Sequence, residues 1–366
     1  MLFDPSASID PPKGVVTVGW SPLSAARNWD GALSMADAMV YSHRRGNRGA
    51  RAVSEDHWNE RASSLLAPVL YAAALETRSM RDVLSWVDRH DGAPALSILE
   101  HQAEESMACD ALSGILATDE REQSGIWSTA SGVLAAYRST SALASTGPPY
   151  LDPASFCEAP NTLYVCAPGR HQQLLAPLVV GLLSEIKDAA YERARAKGTG
   201  PPVLFALDEV ANIAPLPDLA SIVSEGAGQG LLVLACLQDL SQARSRWGVE
   251  AEGFLSLFGT TVVLAGIADV ATLEALSTLG GDVELESHAR ALSQTERRLV
   301  SSVTTATVFR RRLPPDVIAR GRPDAALVMD GRRRMGWVGL TPAHRDLPWR
   351  VLVGPSRARD PDLFGR

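Results

Sequence analysis

The 366-residue chain has few cysteines and no long apolar run. Its four cysteines are widely spaced and form no CxxC pair, which argues against a zinc cluster and a disulfide framework and favours a reducing compartment. Since no stretch of about 18 consecutive apolar residues occurs, the sequence predicts no membrane anchor in this polypeptide. The first ten residues also lack the basic and then apolar pattern of a secretory signal.

Lysine is also scarce, because Lys13, Lys187 and Lys197 are the only lysines and every other cationic side chain is arginine. The formal charge of -7 and the pI of about 5.6 argue against a protein whose whole surface holds nucleic acid. A local basic channel stays open, because arginines cluster at 310–312 and 332–334. Each cluster is either a solvated face or a contact for nucleic acid or an acidic partner.

Several motifs that carry chemistry are absent from the 366 residues. There is no GxxxxGK[ST] loop to cradle phosphates, no HExxH pair for zinc and no GxSxG nucleophile turn. The glycine-rich segment 226–230 does not replace the phosphate loop, because it lacks the lysine and precedes a strand. We expect it to be a helix-terminating turn.

The order of apolar patterns divides the chain into a helical block and a mixed part. From about residue 24 to 143, apolar residues recur at helical spacing, as at Trp58, Ala62, Leu65 and Leu66. Short apolar runs then alternate with longer helical segments, which predicts an α/β fold with a parallel sheet covered by helices. The predicted strands, each expected to be apolar on both faces, are 162–167, 203–207, 231–237, 260–265 and 325–329. We expect Cys166 and Cys236, which lie in these runs, to be small buried hydrophobic residues.

The strongest chemical signal is a pair of carboxylates, Asp208 and Glu209, directly after the apolar run 203–207. In nucleoside triphosphatases an Asp at this position holds Mg²⁺, and a neighbouring acid can activate the attacking water. We therefore expect Asp208 to be the metal partner and Glu209 the base. The alternative is that both acids cap the next helix. Gln238, after the next run, either hydrogen-bonds a terminal phosphate or its water, or simply caps the strand.

Ordered segments along nearly the whole chain resemble the type IV secretion coupling proteins, the TraG/TraD-like conjugative DNA-transfer ATPases. The segments that carry the resemblance are FDP at 3–5, WSPL at 20–23, LDE at 207–209, APLPDL at 214–219, GQG at 228–230, LQDLSQA at 237–243, WG at 247–248, FGTT at 258–261, LSTLG at 276–280 and RLPP at 312–315.

The resemblance implies a RecA-like parallel sheet flanked by helices and interrupted by an inserted all-α domain, with a TraM recognition domain. The expected divisions are 1–23 and 147–354 for the nucleotide-binding domain, 24–146 for the all-α domain and 355–366 for a tail. The resemblance also implies that Asp208 and Glu209 are the Walker B acids and that Gln238 senses nucleotide, with ATP and Mg²⁺ as cofactors.

The expected setting is a hexameric ring at the cytoplasmic face of the inner membrane. The ring would recruit a relaxase–DNA complex or a secreted protein to the secretion channel, and it could contact single-stranded DNA.

The sequence departs from the family in two respects. Family members carry transmembrane helices and GxxxxGK[ST] upstream of the segment matching Phe3, and this chain begins after both. In addition, Ala227 stands where an arginine of the family is thought to act near the neighbouring subunit's nucleotide. Two hypotheses therefore stay open: a motor part whose phosphate loop is encoded upstream or on a partner, or a recognition adaptor that does not hydrolyse nucleotide.

Overall fold

The computed structural model contains two compact units. The first comprises Met1–Leu237 and Gln242–Glu252, and the second comprises Gln238–Ser241 and Gly253–Arg366. The structure describes residues 1–43, 50–102, 106–198, 200–295, 298–331 and 333–353. The arginine cluster at 332–334 and the tail at 355–366 lie outside the residues whose side chains are described. The domain boundaries expected from the sequence stay a prediction.

The first part of the chain is helical, as its apolar spacing predicts. Its helices are α1 (Trp29–His43), α2 (Ala50–Leu75), α3 (Met80–Asp88), α4 (Ala93–Gln102), α5 (Ser106–Leu116), α6 (Glu120–Val133) and α7 (Thr140–Ala144). A short 3-10 turn over Ala135–Arg138 separates α6 from α7, and the extended backbone of Ser139 ends that turn before α7 begins.

Helices also occupy the rest of the chain. They are α8 (Pro153–Glu158), α9 (Gln172–Lys197), α10 (Val210–Ile213), α11 (Leu219–Glu225), α12 (Leu240–Trp247), α13 (Phe254–Leu257), α14 (Val270–Gly280), α15 (Pro315–Arg320) and α16 (Trp349–Val353). The core of the first unit lies where α9 packs against α1, and α1 against α2. Small residues allow this close packing: a Cβ at Gly181 of α9 would lie 2.8 Å from the Met35 sulfur and 2.8 Å from the Trp20 ring.

The strands of the first unit form two parallel pairs. β1 (Leu2–Phe3) pairs with β2 (Tyr164–Val165), and β3 (Val203–Leu207) pairs with β4 (Leu231–Ala235). Alternate residues of the second pair, namely Leu204, Leu232 and Leu234, are exposed. These strands are apolar on both faces, as expected, but one face of the pair is left uncovered within the described structure.

The second unit contains antiparallel strands. β5 (Thr260–Val263) pairs with β8 (Ala325–Asp330), which pairs with β9 (Arg333–Gly339). The expectation of parallel strands at 260–265 and 325–329 is therefore wrong. The hydrophobic core of this unit, formed by the strands together with α14 and α15, contains buried Val263, Leu273, Leu276, Ile318 and Leu327.

A long two-stranded ribbon also belongs to this unit, formed by β6 (Asp282–Thr295) and β7 (Arg298–Arg311). None of the strands expected from the sequence covers this region. None of the described helices combines the length and the apolar character needed to cross a membrane.

Candidate functional site

The site expected from the sequence lies at the carboxyl ends of β3 and β4. The two strands pair in parallel from Val203 and Leu231 to Leu207 and Ala235, so both end at the same edge. The pairing continues one step further, because the Cys236 N–H donates to the Leu207 carbonyl at 2.9 Å and the Val210 N–H donates to the Cys236 carbonyl at 3.3 Å. These bonds fix the backbone on both sides of Asp208 and Glu209.

Glu209 has an unusual backbone conformation for a residue with a side chain. Its φ of 55° and ψ of 42° lie in the left-handed region, which costs about 1–3 kcal/mol and persists only where the surroundings enforce it. Glu209 occupies the N-cap position of α10, yet its side chain makes no capping hydrogen bond. Instead, its Oε2 accepts a hydrogen bond of 2.8 Å from Asn212 Nδ2. The helix-cap interpretation thus does not describe this carboxylate.

Cys236 lies beside the two acids. Partial burial, followed by the negative charges of Asp208 and Glu209, raises the pKa of its thiol. The residue is exposed and lies one position beyond β4. The expectation of a buried hydrophobic Cys236 is therefore wrong, because β4 ends before it and leaves the side chain at the sheet edge. Cys166, one position beyond β2, is partly exposed.

Asn212 connects Glu209 to a neighbouring cavity. This cavity of about 230 Å³ is lined by Asn212 and by residues at the start of α9: Gly169, Arg170, Gln172 and Gln173. Sequence reasoning missed all five. The available signal was the position of Asn212 three residues after Glu209, which in a helical turn brings an amide back to the carboxylate.

The loop that follows the acids is fastened to α12. The Arg246 Nε–H donates to the Ala211 carbonyl at 2.7 Å, and the Trp247 Nε1–H donates to the Leu216 carbonyl at 2.8 Å. Tyr41 of α1 in turn donates to the Arg246 carbonyl at 3.5 Å. Burial lowers the pKa of Arg246. The segment that carries Glu209 and Asn212 is thereby held to α12 at Ala211 and at Leu216.

The site suits a magnesium ion that arrives with a phosphate. Among the described residues no group of three or more His, Cys, Asp or Glu side chains could hold a metal by itself. Mg²⁺ is commonly bound by one or two carboxylates together with waters and substrate phosphates. Asp208, exposed at the strand end, fits that pattern.

The remaining sequence-predicted residues lie as follows. Gln238 is exposed three positions after β4 and belongs to the second unit. Segment 226–229 is a 3-10 turn that ends α11, and Gly230 follows with a φ of 77°, so the predicted helix-terminating turn is confirmed. Arg310, Arg311 and Arg312 are all exposed at the base of the ribbon, where Arg311 contacts Asp282 at 3.4 Å.

Comparison with known proteins gives the fold of the chain and a family match for one segment of it. Residues 202–322 match the family described as the TraM recognition site of TraD and TraG. The bacterial conjugative coupling protein TrwBdeltaN70, unbound, is similar in structure with a TM-score of 0.65 and 24% identity, over 89% of this chain and 71% of that one. The plasmid coupling protein TrwB with the GTP analogue GDPNP gives a TM-score of 0.66 and 23% identity, over 93% and 74%. No curated protein sequence matched the chain.

A third solved structure, TrwB in complex with ADP and Mg²⁺, gives a TM-score of 0.64 and 22% identity over 93% of this chain and 73% of that one. These likenesses confirm the expected α/β fold of RecA type with a helical domain. The sequence resemblance stated above is confirmed by the matched segment, which contains Asp208, Glu209 and Gln238. Residues 202–322 therefore match the TraM recognition site of the TraG/TraD-like coupling proteins, and the chain as a whole shares the fold of TrwB.

Proposed function

We propose that this protein couples a transfer substrate to a type IV secretion channel and that nucleotide turnover drives the transfer in the assembled protein. The substrate is a relaxase–DNA complex or a secreted protein. The carrying observation is the parallel pair β3–β4 with Asp208 and Glu209 at its carboxyl end, within the fold of coupling proteins.

In this proposal the roles follow from the chemistry of each group. Asp208 would hold Mg²⁺ through its exposed carboxylate, and that ion would supply positive charge to neutralise the phosphates of a bound nucleotide. Glu209 accepts a proton from the attacking water, and Asn212 keeps Glu209 Oε2 fixed at 2.8 Å. Gln238 contacts the terminal phosphate or its water. The assembly is a hexamer at the cytoplasmic face of the membrane, as proposed from the family.

A second candidate function is substrate recognition without hydrolysis. It is favoured by Ala227, which is exposed in the glycine-rich turn where the family carries an arginine. Such arginines stabilise the charge of the transition state and raise hydrolysis rates strongly. The two candidates differ in whether transfer depends on Glu209.

A transfer assay separates them. Donor cells whose own copy is deleted are complemented with the wild-type gene, Glu209→Gln or Glu274→Gln, and the transferred DNA or protein is counted. Glu274 is an exposed acid on α14 and provides the matched control. The coupling proposal predicts that Glu209→Gln lowers transfer at least about 100-fold, the size of a lost general base. Equal transfer with wild type and Glu209→Gln, with loss on deletion, would instead establish the recognition adaptor.

A further inference from the structure

A larger cavity, of about 610 Å³, lies in the first unit away from the β3–β4 edge residues. Its wall contains both chain passages that flank the helical block: residues 20–27, which precede α1, and residues 146–153, which follow α7. The loop between α2 and α3 and Glu185 of α9 complete it. The volume falls in the range of about 300–1,000 Å³ that is typical of small-molecule sites.

Glu185 provides a hydrogen-bond acceptor in this wall. Its Oε2 accepts from Trp20 Nε1 at 2.5 Å and from Ser24 Oγ at 2.7 Å. Its Oε1 has no hydrogen-bond partner among the described residues. Burial raises the pKa of this carboxyl group, against the opposing effect of the two hydrogen bonds. Because Trp20 and Ser24 already satisfy one oxygen, the other is left for a donor inside the cavity.

Arg27 provides a cation at the same cavity. It is exposed and makes no hydrogen bond or ion pair with the described residues. The nearby Asp152 does not pair with it, because the Asp152 oxygens accept from the Ala154 and Ser155 N–H groups and from Ser155 Oγ at the start of α8. Arg78, the other arginine of the wall, is paired with Glu76 at 2.7 Å. The charge of Arg27 acts on the carboxyl groups of Asp152 and Glu185, but its guanidinium hydrogen-bonds to neither, so its N–H donors can still bind an anion in the described part of the cavity.

Tyr150 adds a flat apolar surface. It is 63% exposed although it is a large aromatic residue, and it lines the cavity together with Leu23 and Met80. An exposed aromatic ring can stack on a planar group. One cavity thus combines an anion-binding fork, a stacking surface and an acceptor for N–H groups.

We propose that this cavity binds a nucleoside phosphate, with the phosphate on Arg27, the base against Tyr150 and a base N–H on Glu185 Oε1. The guanidinium fork is suited to phosphate oxygens, and a carboxylate oxygen accepts from base N–H groups. The site shares no residue with the Asp208–Glu209 site, and the proposal does not depend on the proposed function.

The test is isothermal titration of the full chain with the four nucleoside 5′-monophosphates and inorganic phosphate. EDTA is present, so that magnesium-dependent binding at Asp208 does not contribute. At least one nucleotide is expected to bind, and Arg27→Ala should weaken it about 10-fold or more, the effect of a lost charged hydrogen bond. Arg89→Ala, an exposed arginine outside both cavities, is the matched control and should leave the affinity unchanged.

Two further variants make the test decisive. Glu185→Gln, which retains an acceptor for Trp20 and Ser24, should change the preference among the four bases. Asp208→Ala should bind as wild type, and loss of binding in that variant would assign the ligand to the β3–β4 site and overturn the proposal. Absence of binding by all four nucleotides, equal affinity for inorganic phosphate, or wild-type affinity in Arg27→Ala would each overturn it as well.

Discussion

Replacing Lys187 by Met should destabilise the first unit by about 2 kcal/mol. Lys187 of α9 donates to Asp218 Oδ2 at 2.5 Å and lies 3.5 Å from Asp188. The other oxygen of Asp218 is buried and has no partner. Removing the lysine therefore leaves a carboxylate with neither counter-ion nor full hydrogen bonding.

The magnitude follows from how far each partner is shielded. Breaking a fully buried pair costs about 3–5 kcal/mol, whereas exposed pairs contribute about 0–1 kcal/mol. The Lys187 side chain is 16% exposed and that of Asp218 is 35% exposed, so we place the cost between the two limits at about 2 kcal/mol. Although burial lowers the pKa of Lys187, the hydrogen bond and charge of Asp218 outweigh it and raise that pKa. The stabilisation should thus be complete below about pH 10, the ordinary lysine value, and lost as the pH rises above the raised value.

Equilibrium urea unfolding at pH 7, followed by circular dichroism, measures this effect. With a slope of about 2 kcal/mol per molar urea, the midpoint should fall by about 1 M. The double variant Lys187→Met, Asp218→Leu should recover much of the loss, because the carboxylate that remains, Asp188, is 56% exposed and stays hydrated. Arg320→Met, which removes an exposed pair with Asp316 at 2.6 Å, is the control and should change little. A Lys187→Met urea midpoint that lies within about 0.2 M of the wild-type midpoint would refute the reasoning.

Three further predictions concern other parts of the chain. Gly19→Ala would place a Cβ 1.8 Å from a backbone carbonyl oxygen and should lower the free energy of unfolding by at least about 1–3 kcal/mol. Gly114→Ala, with open space around it in α5, should raise the free energy of unfolding by about 0.5–1 kcal/mol. Thermal unfolding of the two variants measures both effects. Asp82→Ala removes the acceptor at the start of α3 and should cost about 1 kcal/mol at pH 7. Because hydrogen bonds from Ser79 lower the pKa of Asp82, this cost is present above about pH 4 and should disappear as the pH falls through the lowered value. Iodoacetamide should alkylate Cys236 faster in Asp208→Asn than in wild type at pH 8, because one of the charges that raise the thiol pKa is gone. An equal rate in the two proteins would show that the charge of Asp208 does not act on the Cys236 thiol.

The sequence predicts the helical block and the β3 acids because both follow from local patterns. Residues such as Ala62, Leu65 and Leu66 recur at helical spacing, and all three are fully buried in α2. An apolar run followed by Asp208 and Glu209 predicts both a strand and the place where it ends. This prediction needs only the local sequence and does not require the partner strand to be known. The predicted bounds of β3 agree with the observed Val203–Leu207.

What the sequence did not predict depends on pairing between distant segments. The antiparallel order β5–β8–β9 joins residues about 65 positions apart, from Val263 to Leu327. The ribbon β6–β7 has many polar residues on both strands, so its alternation is weak. Within the site, the spacing of Asn212 from Glu209 was a signal in the sequence, but the left-handed backbone at Glu209 and the hydrogen bond between the two side chains were seen only in the structure.

The most direct test of the account is nucleotide hydrolysis by the native assembly isolated from its cells, measured for the wild type and Glu209→Gln. The account predicts that both bind Mg²⁺–ATP and that the variant hydrolyses it at least about 100-fold more slowly, because the base is lost while Asp208 still holds the metal. Hydrolysis at the same rate in both would contradict the assignment of Glu209. Absence of nucleotide binding by the wild-type assembly would contradict the assignment of the β3–β4 edge as a nucleotide site.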